Sequence, residues 1–308
     1  MSILVTGSEG TVGKPLSILL EQKGSKVIKV DRFHSSTPSF VRADISNYRQ
    51  IEAVFNQFPD IEFVYNLAAE FGRWNGEDFY EDVWNSNVIG LKNIIRLQSR
   101  FRFKLIHFSS SEVYGNWTNT MSESVLEENA VLQLNDYALS KWCNEVQIKN
   151  SASFDNCETV IVRLFNTYGP GEHYHPYRSA ICKFIWQALQ NKEITLYQNH
   201  YRSNTFIDDC INSLASITEN FKSGRVYNIG NSDLQPMSKV VDLVLKHTGS
   251  QSKIKILDSE PHTTHTKIVD NSLAKLELNH TDKVDLEEGI IRTINWMKSE
   301  LQQSSEFI

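Results

Sequence analysis

The sequence lacks the signatures of membrane, secreted and nucleic-acid-binding proteins. No apolar run approaches the ~18–20 residues that cross a bilayer, and no charged segment followed by an apolar core opens the chain. The basic residues form no run, and 31 Lys and Arg against 37 Asp and Glu give a formal net charge of −6. That balance disfavours nucleic acid and anionic membranes as partners. We therefore expect a cytoplasmic protein that binds neither.

Cysteine is also scarce. The chain has four cysteines without CxxC spacing, at Cys143, Cys157, Cys182 and Cys210. This pattern predicts reduced, packed thiols rather than a zinc site or a disulfide framework. What the sequence does have is 308 residues, 40% of them hydrophobic, which is enough to bury one large core or two modest ones.

The amino-terminal segment follows the order strand, glycine turn, helix, strand, acid. Apolar runs at residues 3–5 and 27–30 flank the turn and helix, and the second run ends in Asp31. The turn contains Gly7, Gly10, Thr11, Val12 and Gly13. Glycine permits a tight turn that a side chain would block, and the following helix N-terminus favours phosphate. A glycine-rich turn alone does not indicate a ligand site, but the complete βαβ pattern predicts a dinucleotide site.

The residue that ends the second strand selects between dinucleotides. The Asp31 carboxylate can accept hydrogen bonds from a ribose diol and would repel a 2′-phosphate. The sequence therefore favours NAD over NADP. Arg32 follows directly and carries the charge that could reverse this preference.

Strand-like and helix-like segments alternate over the first half, which predicts an α/β fold with a parallel sheet and helices on both faces. Ligands bind beyond the carboxyl ends of such strands. Asp44 and Ile45 follow a weak strand and could reach an adenine ring. Leu67, Ala68 and Ala69 end a stronger strand, where the small side chains indicate either a ligand close to the backbone or tight helix–sheet packing.

The alternation weakens after Gly171. We expect late strands at residues 206–209 and 226–230, and helices that begin near Ser238 and Leu286. The later half is interpreted as a smaller, partly interleaved domain. The predicted division assigns residues 1–165 and 205–231 to the dinucleotide-binding domain and residues 166–204 and 232–308 to a substrate-binding domain.

Tyr137 and Lys141 lie four residues apart, so they share one face of a helix. A phenol has a pKa of about 10, and a nearby ammonium group favours its ionised form. We therefore expect Lys141 to lower the pKa of Tyr137 and make it a usable base toward an alcohol, with Ser110 bound to the same oxygen. Such pairs also occur on many exposed helices, so the pair alone does not establish chemistry.

Together the motifs resemble those of the extended short-chain dehydrogenase/reductases, and among them the nucleotide-sugar epimerases and dehydratases. The matching motifs are Thr6-Gly7-x-x-Gly10-x-x-Gly13, Ser109-Ser110-Ser111 before Val113-Tyr114-Gly115, Tyr137-x-x-x-Lys141 and Arg163-x-x-Asn166-x-Tyr168-Gly169-Pro170. The resemblance extends from residue 3 to about residue 298. It implies a Rossmann-type doubly wound sheet that binds NAD and a smaller carboxyl-terminal domain that binds a nucleoside-diphosphate sugar. It also implies a homodimer, in which two helices pair with their symmetry mates.

The resemblance also assigns roles to individual residues. It makes Tyr137 the base for the sugar 4-hydroxyl, Lys141 its pKa partner and ribose ligand, and Ser110 a hydrogen-bond donor to the 4-oxygen. The residues expected to bind substrate are Ser111, Asn166 and Arg202, with Arg202 pairing with the diphosphate. Where related enzymes place a second diphosphate arginine, this chain has Glu260.

Glu112 divides the subfamilies. Family members that act as 4,6-dehydratases or UDP-glucuronate decarboxylases carry a carboxylate at this position, whereas many 4-epimerases have a small residue. Because a carboxylate beside a 4-keto sugar can remove the C5 proton, the sequence favours a 4,6-dehydratase. The alternatives are a 4-epimerase or decarboxylase, an NADP-dependent ketone reductase, a catalytically silent NAD-binding regulator, and a Glu112 that only pairs locally. The family needs no metal, so we expect none at His173, His175, His262 or His265.

Overall fold

A computed structural model describes residues 1–305 of the chain. The strands in this range are β1 (Ser2–Thr6), β2 (Lys26–Asp31), β3 (Phe40–Arg42), β4 (Phe63–Asn66), β5 (Lys104–Ser110), β6 (Thr120–Met121), β7 (Thr159–Leu164), β8 (Thr167–Tyr168), β9 (Ile194–Tyr197), β10 (Tyr201–Ser203), β11 (Thr205–Phe206), β12 (Val226–Ile229), β13 (Leu234–Pro236), β14 (Ile254–Leu257) and β15 (Thr266–Val269). The helices are α1 (Gly13–Gln22), α2 (Tyr48–Gln57), α3 (Arg73–Asp78), α4 (Tyr80–Val83), α5 (Gly90–Phe101), α6 (Val125–Glu128), α7 (Asp136–Asp155), α8 (Ala180–Leu189), α9 (Ile207–Ser216), α10 (Met237–Thr248), α11 (Ser272–Leu278) and α12 (Leu286–Ser305). A π-helix, Trp84–Ile89, joins α4 to α5, and a 3₁₀ helix, Ser111–Tyr114, follows β5.

Seven parallel strands form the central sheet, in the order β12-β7-β5-β4-β1-β2-β3. The direction of strand addition reverses at β1, which pairs with β2 on one side and with β4 on the other. Every residue of β1 and β4 is buried, as expected where helices cover both faces of a sheet. Ligands bind at the carboxyl ends of the strands where the order reverses. The predicted doubly wound α/β fold is confirmed.

Separate hydrophobic cores lie on the two faces of this sheet. One contains Leu16 and Leu20 of α1 together with Ile290 of α12. The other contains Phe55 of α2 and Leu91 of α5. Because both faces are packed, α1 and α7 are held in fixed positions at the strand ends. None of the helices within residues 1–305 is long and apolar enough to span a bilayer.

A second sheet has the order β13-β10-β15-β6. The strands β10 and β15 are parallel, and their register places Arg202 opposite Lys267. Two basic side chains therefore occupy neighbouring strands, and both are buried. The sheet brings residues from near 120, 202, 235 and 267 to one place.

The predicted strand at residues 206–209 is wrong beyond its first residue. Only Thr205–Phe206 is extended, and α9 begins at Ile207. Asp208 and Asp209 lie in the first helical turn, where carboxylates stabilise the positive end of the helix dipole. The other expectations for the later half hold, since β12 spans Val226–Ile229 and α10 and α12 begin at Met237 and Leu286.

Candidate active site

The glycine turn between β1 and α1 is packed too tightly for side chains. Gly7 has a φ of 67°, and a Cβ there would lie 2.8 Å from the backbone nitrogen of Ala68. A Cβ on Gly13 would lie 2.0 Å from the carbonyl oxygen of Gly7. The turn is closed by a hydrogen bond of 3.1 Å from the Gly10 N–H to the Gly7 carbonyl. Its backbone therefore forms the floor of a cavity at the carboxyl end of β1.

That cavity has a volume of about 390 Å³ and lies where the strand order reverses. All the residues predicted to bind the cofactor line it: Gly7, Gly10, Thr11, Val12, Gly13, Asp31, Asp44, Ile45, Leu67, Ala68, Ala69, Tyr137 and Lys141. The Asp31 carboxylate accepts hydrogen bonds from the N–H groups of Glu9 and Phe33, at 3.1 and 3.2 Å. These bonds hold the acid at the rim. A glycine floor and a fixed acid at the end of β2 fit a dinucleotide.

The predicted base and lysine lie on α7. Asn135 caps this helix by accepting a 2.7 Å hydrogen bond from the Ala138 N–H, and Tyr137 lies in the first turn. The Lys141 ammonium donates a 2.8 Å hydrogen bond to the Phe108 carbonyl. Tyr137 lines both this cavity and a second one beside it. The phenol therefore lies where two ligands would meet.

The predicted lowering of the pKa of Tyr137 is wrong. Burial raises the pKa of Tyr137 to about 12; a hydrogen bond with Ser110 opposes this and the charge of Glu112 adds to it. The Lys141 ammonium lies 5.8 Å from the ring centroid. Burial also lowers the pKa of Lys141 to about 8, although Glu145 opposes the change. Desolvation therefore disfavours the charged form of both partners.

Helix α7 is fixed to the sheet by a buried ion pair. Arg163 of β7 donates from Nε and NH2 to the two carboxylate oxygens of Glu145, at 3.0 and 2.7 Å. Ser109 donates a further 2.6 Å hydrogen bond to Glu145. Glu145 is one turn beyond Lys141. The bidentate pair therefore sets the position of the Tyr137 and Lys141 face relative to β5 and β7.

The second cavity has a volume of about 560 Å³ and continues the first past Tyr137. It is lined by the remaining predicted site residues: Ser110, Ser111, Glu112, Asn166 and Arg202. Ser110 ends β5, and its hydroxyl accepts a 3.2 Å hydrogen bond from the Glu112 N–H, which begins the 3₁₀ helix. Asn166 donates a 3.1 Å hydrogen bond to the Ser203 carbonyl. The structure thus brings residues from β5, α7, β10 and the β7–β8 turn to one cleft.

Glu112 is held by cations. The Lys267 ammonium donates a hydrogen bond to Glu112, and Arg73 Nε lies 3.9 Å from the same carboxylate. Burial opposes ionisation of Glu112, but the charges of Lys267 and Arg73 outweigh it and lower its pKa to about 2. Burial lowers the pKa of Lys267 to about 8 despite the opposing charge of Glu112. At neutral pH the three cations Arg73, Arg202 and Lys267 face the two carboxylates Glu112 and Glu260 at this side of the cleft, which leaves one positive charge in excess.

Arg202 faces the protein rather than presenting a free fork to the cleft. Its guanidinium donates to the backbone carbonyls of Tyr201, His265 and Thr264, at 2.9, 2.6 and 2.8 Å. A further contact of 3.1 Å joins it to Nδ1 of His200. The expected pairing with a diphosphate stays a prediction, and the hydrogen bonds indicate that Arg202 also positions the loop that carries His265.

Sequence reasoning missed Arg73 and Lys267. Lys267 lies 155 residues from Glu112 in a strand with no recognisable motif. The one signal in the sequence is a lysine two residues before Val269, in a short β-branched segment. Arg73 is paired at 2.8 Å with Glu260, the residue that replaces the second expected arginine. Among residues 1–305 no group of three or more His, Cys, Asp or Glu side chains could hold a metal ion.

Comparisons with known proteins extend over most of the chain. The model of the NAD dependent epimerase/dehydratase family matches residues 3–230. UDP-glucuronic acid decarboxylase 1 of Xenopus tropicalis is 28% identical over 311 residues, which cover 98% of this chain and 73% of that protein. A variant of the UDP-glucuronic acid 4-epimerase of Bacillus cereus, solved with UDP-4-deoxy-4-fluoro-glucuronic acid and NAD, is 26% identical with a TM-score of 0.85, and the match covers 97% of this chain and 100% of that one. The dTDP-glucose 4,6-dehydratase of Bacillus anthracis, solved with NAD, is similar in fold, with 23% identity, a TM-score of 0.82 and 98% of each chain covered.

Proposed function

The chain belongs to the NAD-dependent epimerase/dehydratase family, and from this membership we propose that it oxidises C4 of a UDP-hexuronic acid and releases the C6 carboxylate as carbon dioxide. NAD is the cofactor of the family. Two relatives named above act on or bind UDP-glucuronic acid or its analogue. The proposal takes its substrate class from them and from the charge of the cleft.

The observation that carries this proposal is the buried pair of Glu112 and Lys267 beside Ser110. In a hexuronic acid the carboxylate is attached to C5, the ring carbon next to the one that is oxidised. A substrate held with its 4-hydroxyl at Tyr137 therefore has its carboxylate a few ångströms from that hydroxyl. Arg73 and Arg202 line the cleft there, and with Lys267 they outnumber the carboxylates Glu112 and Glu260 by one, which suits a carboxylate better than the neutral hydroxymethyl group of a hexose.

In the first step Tyr137 accepts the proton of the 4-hydroxyl, and Ser110 hydrogen-bonds the same oxygen. The phenolate form needs nearby positive charge to outweigh the burial that raises the pKa of Tyr137, and Lys141 and the bound cofactor would supply that charge. NAD bound in the cavity beside Tyr137 and Lys141 would supply a reversible hydride acceptor for C4 and a positive charge near the phenol. The role of the phenol is thus to carry one proton away from the substrate and later to give it back.

The ketone formed at C4 is β to the carboxylate. The C5–C6 bond then breaks, its electron pair moves into an enolate at the 4-oxygen, and carbon dioxide leaves. Ser110 and the protonated Tyr137 donate hydrogen bonds to that oxygen. C5 gains its proton from solvent in the cleft, because Lys267 is only 2% exposed and lies behind Glu112, which lines the cavity. Glu112 keeps Lys267 charged and oriented.

The hydrogen bond from Lys267 to Glu112 disfavours the 4,6-dehydratase that the sequence alone favoured, because it occupies the carboxylate. That reaction needs Glu112 to remove the C5 proton, and a carboxylate with a pKa of about 2 is a weak base. A 4-epimerase of the same UDP-hexuronic acid is the second candidate, supported by the likeness to the Bacillus cereus epimerase over 97% of this chain. A silent regulator is disfavoured because Tyr137 and Lys141 are both present and both line the cofactor cavity.

The test is to incubate the protein and NAD with UDP-glucuronic acid, with UDP-glucose as the matched neutral substrate, and to identify products by mass and NMR. Loss of carbon dioxide from UDP-glucuronic acid, abolished in Lys267→Met and retained in Lys275→Met, is the expected result. Lys275 is an exposed lysine of α11 that also pairs with a carboxylate. An isomer of equal mass would favour the epimerase, and loss of water from UDP-glucose would contradict both candidates.

Two further proposals concern organisation. We propose that residues 1–165 and 205–231 bind NAD and that residues 166–204 and 232–308 bind the sugar nucleotide. We also propose a homodimer. Its support is an apolar strip of exposed side chains on α7 and the neighbouring π-helix, formed by Leu139, Val146 and Ile89. Leu139 and Val146 are two turns apart on one helix face, as packing against a second helix pair requires.

A further inference from the structure

We infer that Glu70 sets the preference for NAD over NADP by holding Arg32 in an ion pair, so that Arg32 does not bind a 2′-phosphate. Arg32 NH2 lies 2.6 Å from Glu70 Oε1. Both residues line the cofactor cavity next to Asp31. The inference concerns this cavity alone, so it rests on the NAD site and is independent of which sugar is processed.

Asp31 and Arg32 give opposite signals about the cofactor. A carboxylate at the end of β2 suits the 2′-hydroxyl of NAD, whereas an arginine nearby accommodates the 2′-phosphate of NADP. The Arg32 side chain is 46% exposed, so it has the freedom to turn toward a phosphate. A guanidinium binds carboxylate and phosphate with the same planar fork, so the two compete for it. Glu70, only 15% exposed, is the carboxylate already in place.

Glu70 is held in place by contacts other than its bond to Arg32. Its backbone N–H donates a 2.9 Å hydrogen bond to Asn87 Oδ1, and its carbonyl accepts one of 3.1 Å from Asn87 Nδ2. Asn87 is buried in the π-helix and also donates a 3.0 Å hydrogen bond to Ser140 on α7. The second carboxylate oxygen of Glu70 lies 3.4 Å from Asn75 Nδ2. The carboxylate therefore stays directed at the cavity rim whether or not Arg32 is present.

The position of Glu70 depends on the π-helix that carries Asn87. Single π-turns inside helices occur frequently at functional sites because they displace side chains from the regular helical positions. Here the π-turn carries Asn87, which binds both backbone groups of Glu70. The same amide reaches the helix that bears Tyr137. The turn after β4 is thereby fixed between the cofactor rim and α7, and Glu70 is the one charged residue of residues 67–72.

The test is a binding cycle measured by calorimetry, with NAD and NADP titrated into the wild-type protein, Glu70→Gln, Arg32→Ala and the double variant. Glu70→Gln should raise the affinity for NADP about tenfold and change that for NAD by less than about twofold. Arg32→Ala alone should leave the NADP affinity within about twofold, and the double variant should lose the gain. Glu52→Gln is the matched control, because Glu52 forms a similar 2.7 Å pair with Arg100 outside the cavity.

Three outcomes would overturn the inference. If the wild-type protein binds NADP as tightly as NAD, it has no cofactor preference that Glu70 could determine. A gain that persists in the double variant would come from the charge of Glu70 itself and not from release of Arg32. A tenfold loss of NADP affinity in Arg32→Ala alone would mean that Arg32 already binds the 2′-phosphate, and this measurement decides the matter even if Glu70→Gln fails to fold.

Discussion

Replacing Glu112 by glutamine should destabilise the protein, and the size of the effect follows from its surroundings. The carboxylate is 15% exposed and faces Lys267, which is 2% exposed. Its pKa falls from 4.5 to about 2 on folding, and each pKa unit corresponds to about 1.4 kcal/mol, so the ionised group contributes about 3 kcal/mol. Removing one partner of a buried ion pair typically costs about 3–5 kcal/mol in mutational studies, which agrees with the value of about 3 kcal/mol for Glu112.

The sign of the pH dependence separates this explanation from a general packing defect. The contribution of Glu112 is present above pH 4.5 and is lost as the pH falls toward 2, so it is complete at pH 6 and above. In Glu112→Gln, Lys267 loses the charge that opposed its desolvation, so its pKa falls below the present value of about 8. Deprotonation of Lys267 then relieves the unpaired charge. The destabilisation should therefore be larger at pH 6 than at pH 9.

Calorimetric melting curves at the two pH values measure this. With an unfolding entropy of roughly 2.1 cal/mol/K per residue, a loss of about 3–5 kcal/mol lowers Tm by roughly 5–8 °C. Adding Lys267→Met to Glu112→Gln should recover most of the loss, because the buried charge is then gone. Glu127→Gln, which breaks an exposed pair with Lys149, is the control and should change Tm by no more than about 1 °C. An equal drop at both pH values, or no drop, would refute the reasoning.

Tyr137→Phe deletes the proton acceptor, so turnover should fall by about 10²–10⁴-fold while calorimetric NAD binding stays within about twofold; wild-type turnover would remove the phenol from the mechanism. The charged form of Lys141 is lost as the pH rises through about 8, so kcat should decline above that pH. Lys141→Arg should shift this decline to higher pH. A pH profile of kcat identical to that of the wild type would contradict the role of Lys141 as the charged partner of Tyr137. Light scattering at micromolar concentration should give the mass of a dimer for the wild-type protein and of a monomer for Leu139→Glu and Val146→Glu. Leu276→Glu, at an 80% exposed position on α11, is the control and should remain a dimer. A monomeric wild-type protein would contradict the dimer proposal.

The cofactor cavity was predictable because its determinants are local. Gly7, Gly13 and Asp31 follow each other within one βαβ unit, and the turn that they require is fixed by neighbouring residues. The spacing of Tyr137 and Lys141 also specifies a shared helix face without any knowledge of the rest of the fold.

The charges of the substrate cleft were not predictable in the same way. Lys267 reaches Glu112 from β15, which pairs with β10 on one side and β6 on the other, and no pattern near Glu112 or Lys267 reports these pairings. The pKa of Tyr137 was misjudged for a related reason. The sequence gives the distance to Lys141 along the helix, but it does not give the burial that outweighs the charge. Arg202 matched a motif, yet its hydrogen bonds to backbone carbonyls depend on a loop more than 60 residues away.

The last strand of the central sheet has a consequence for how the protein is made. Strand β12 covers the outer edge of β7, but it is synthesised later, since β7 ends at Leu164 and β12 ends at Ile229, 229 − 164 = 65 residues further on. At ~5–20 residues per second, a ribosome needs roughly 3–13 s to deliver it. During that interval the nascent sheet exposes β7, five of whose six residues are buried in the folded protein, and leaves the backbone groups along its outer edge unpaired. Chains aggregate on such edges. Slow translation between these two strands should therefore lower the yield of folded protein more than an equal delay placed after Ile229.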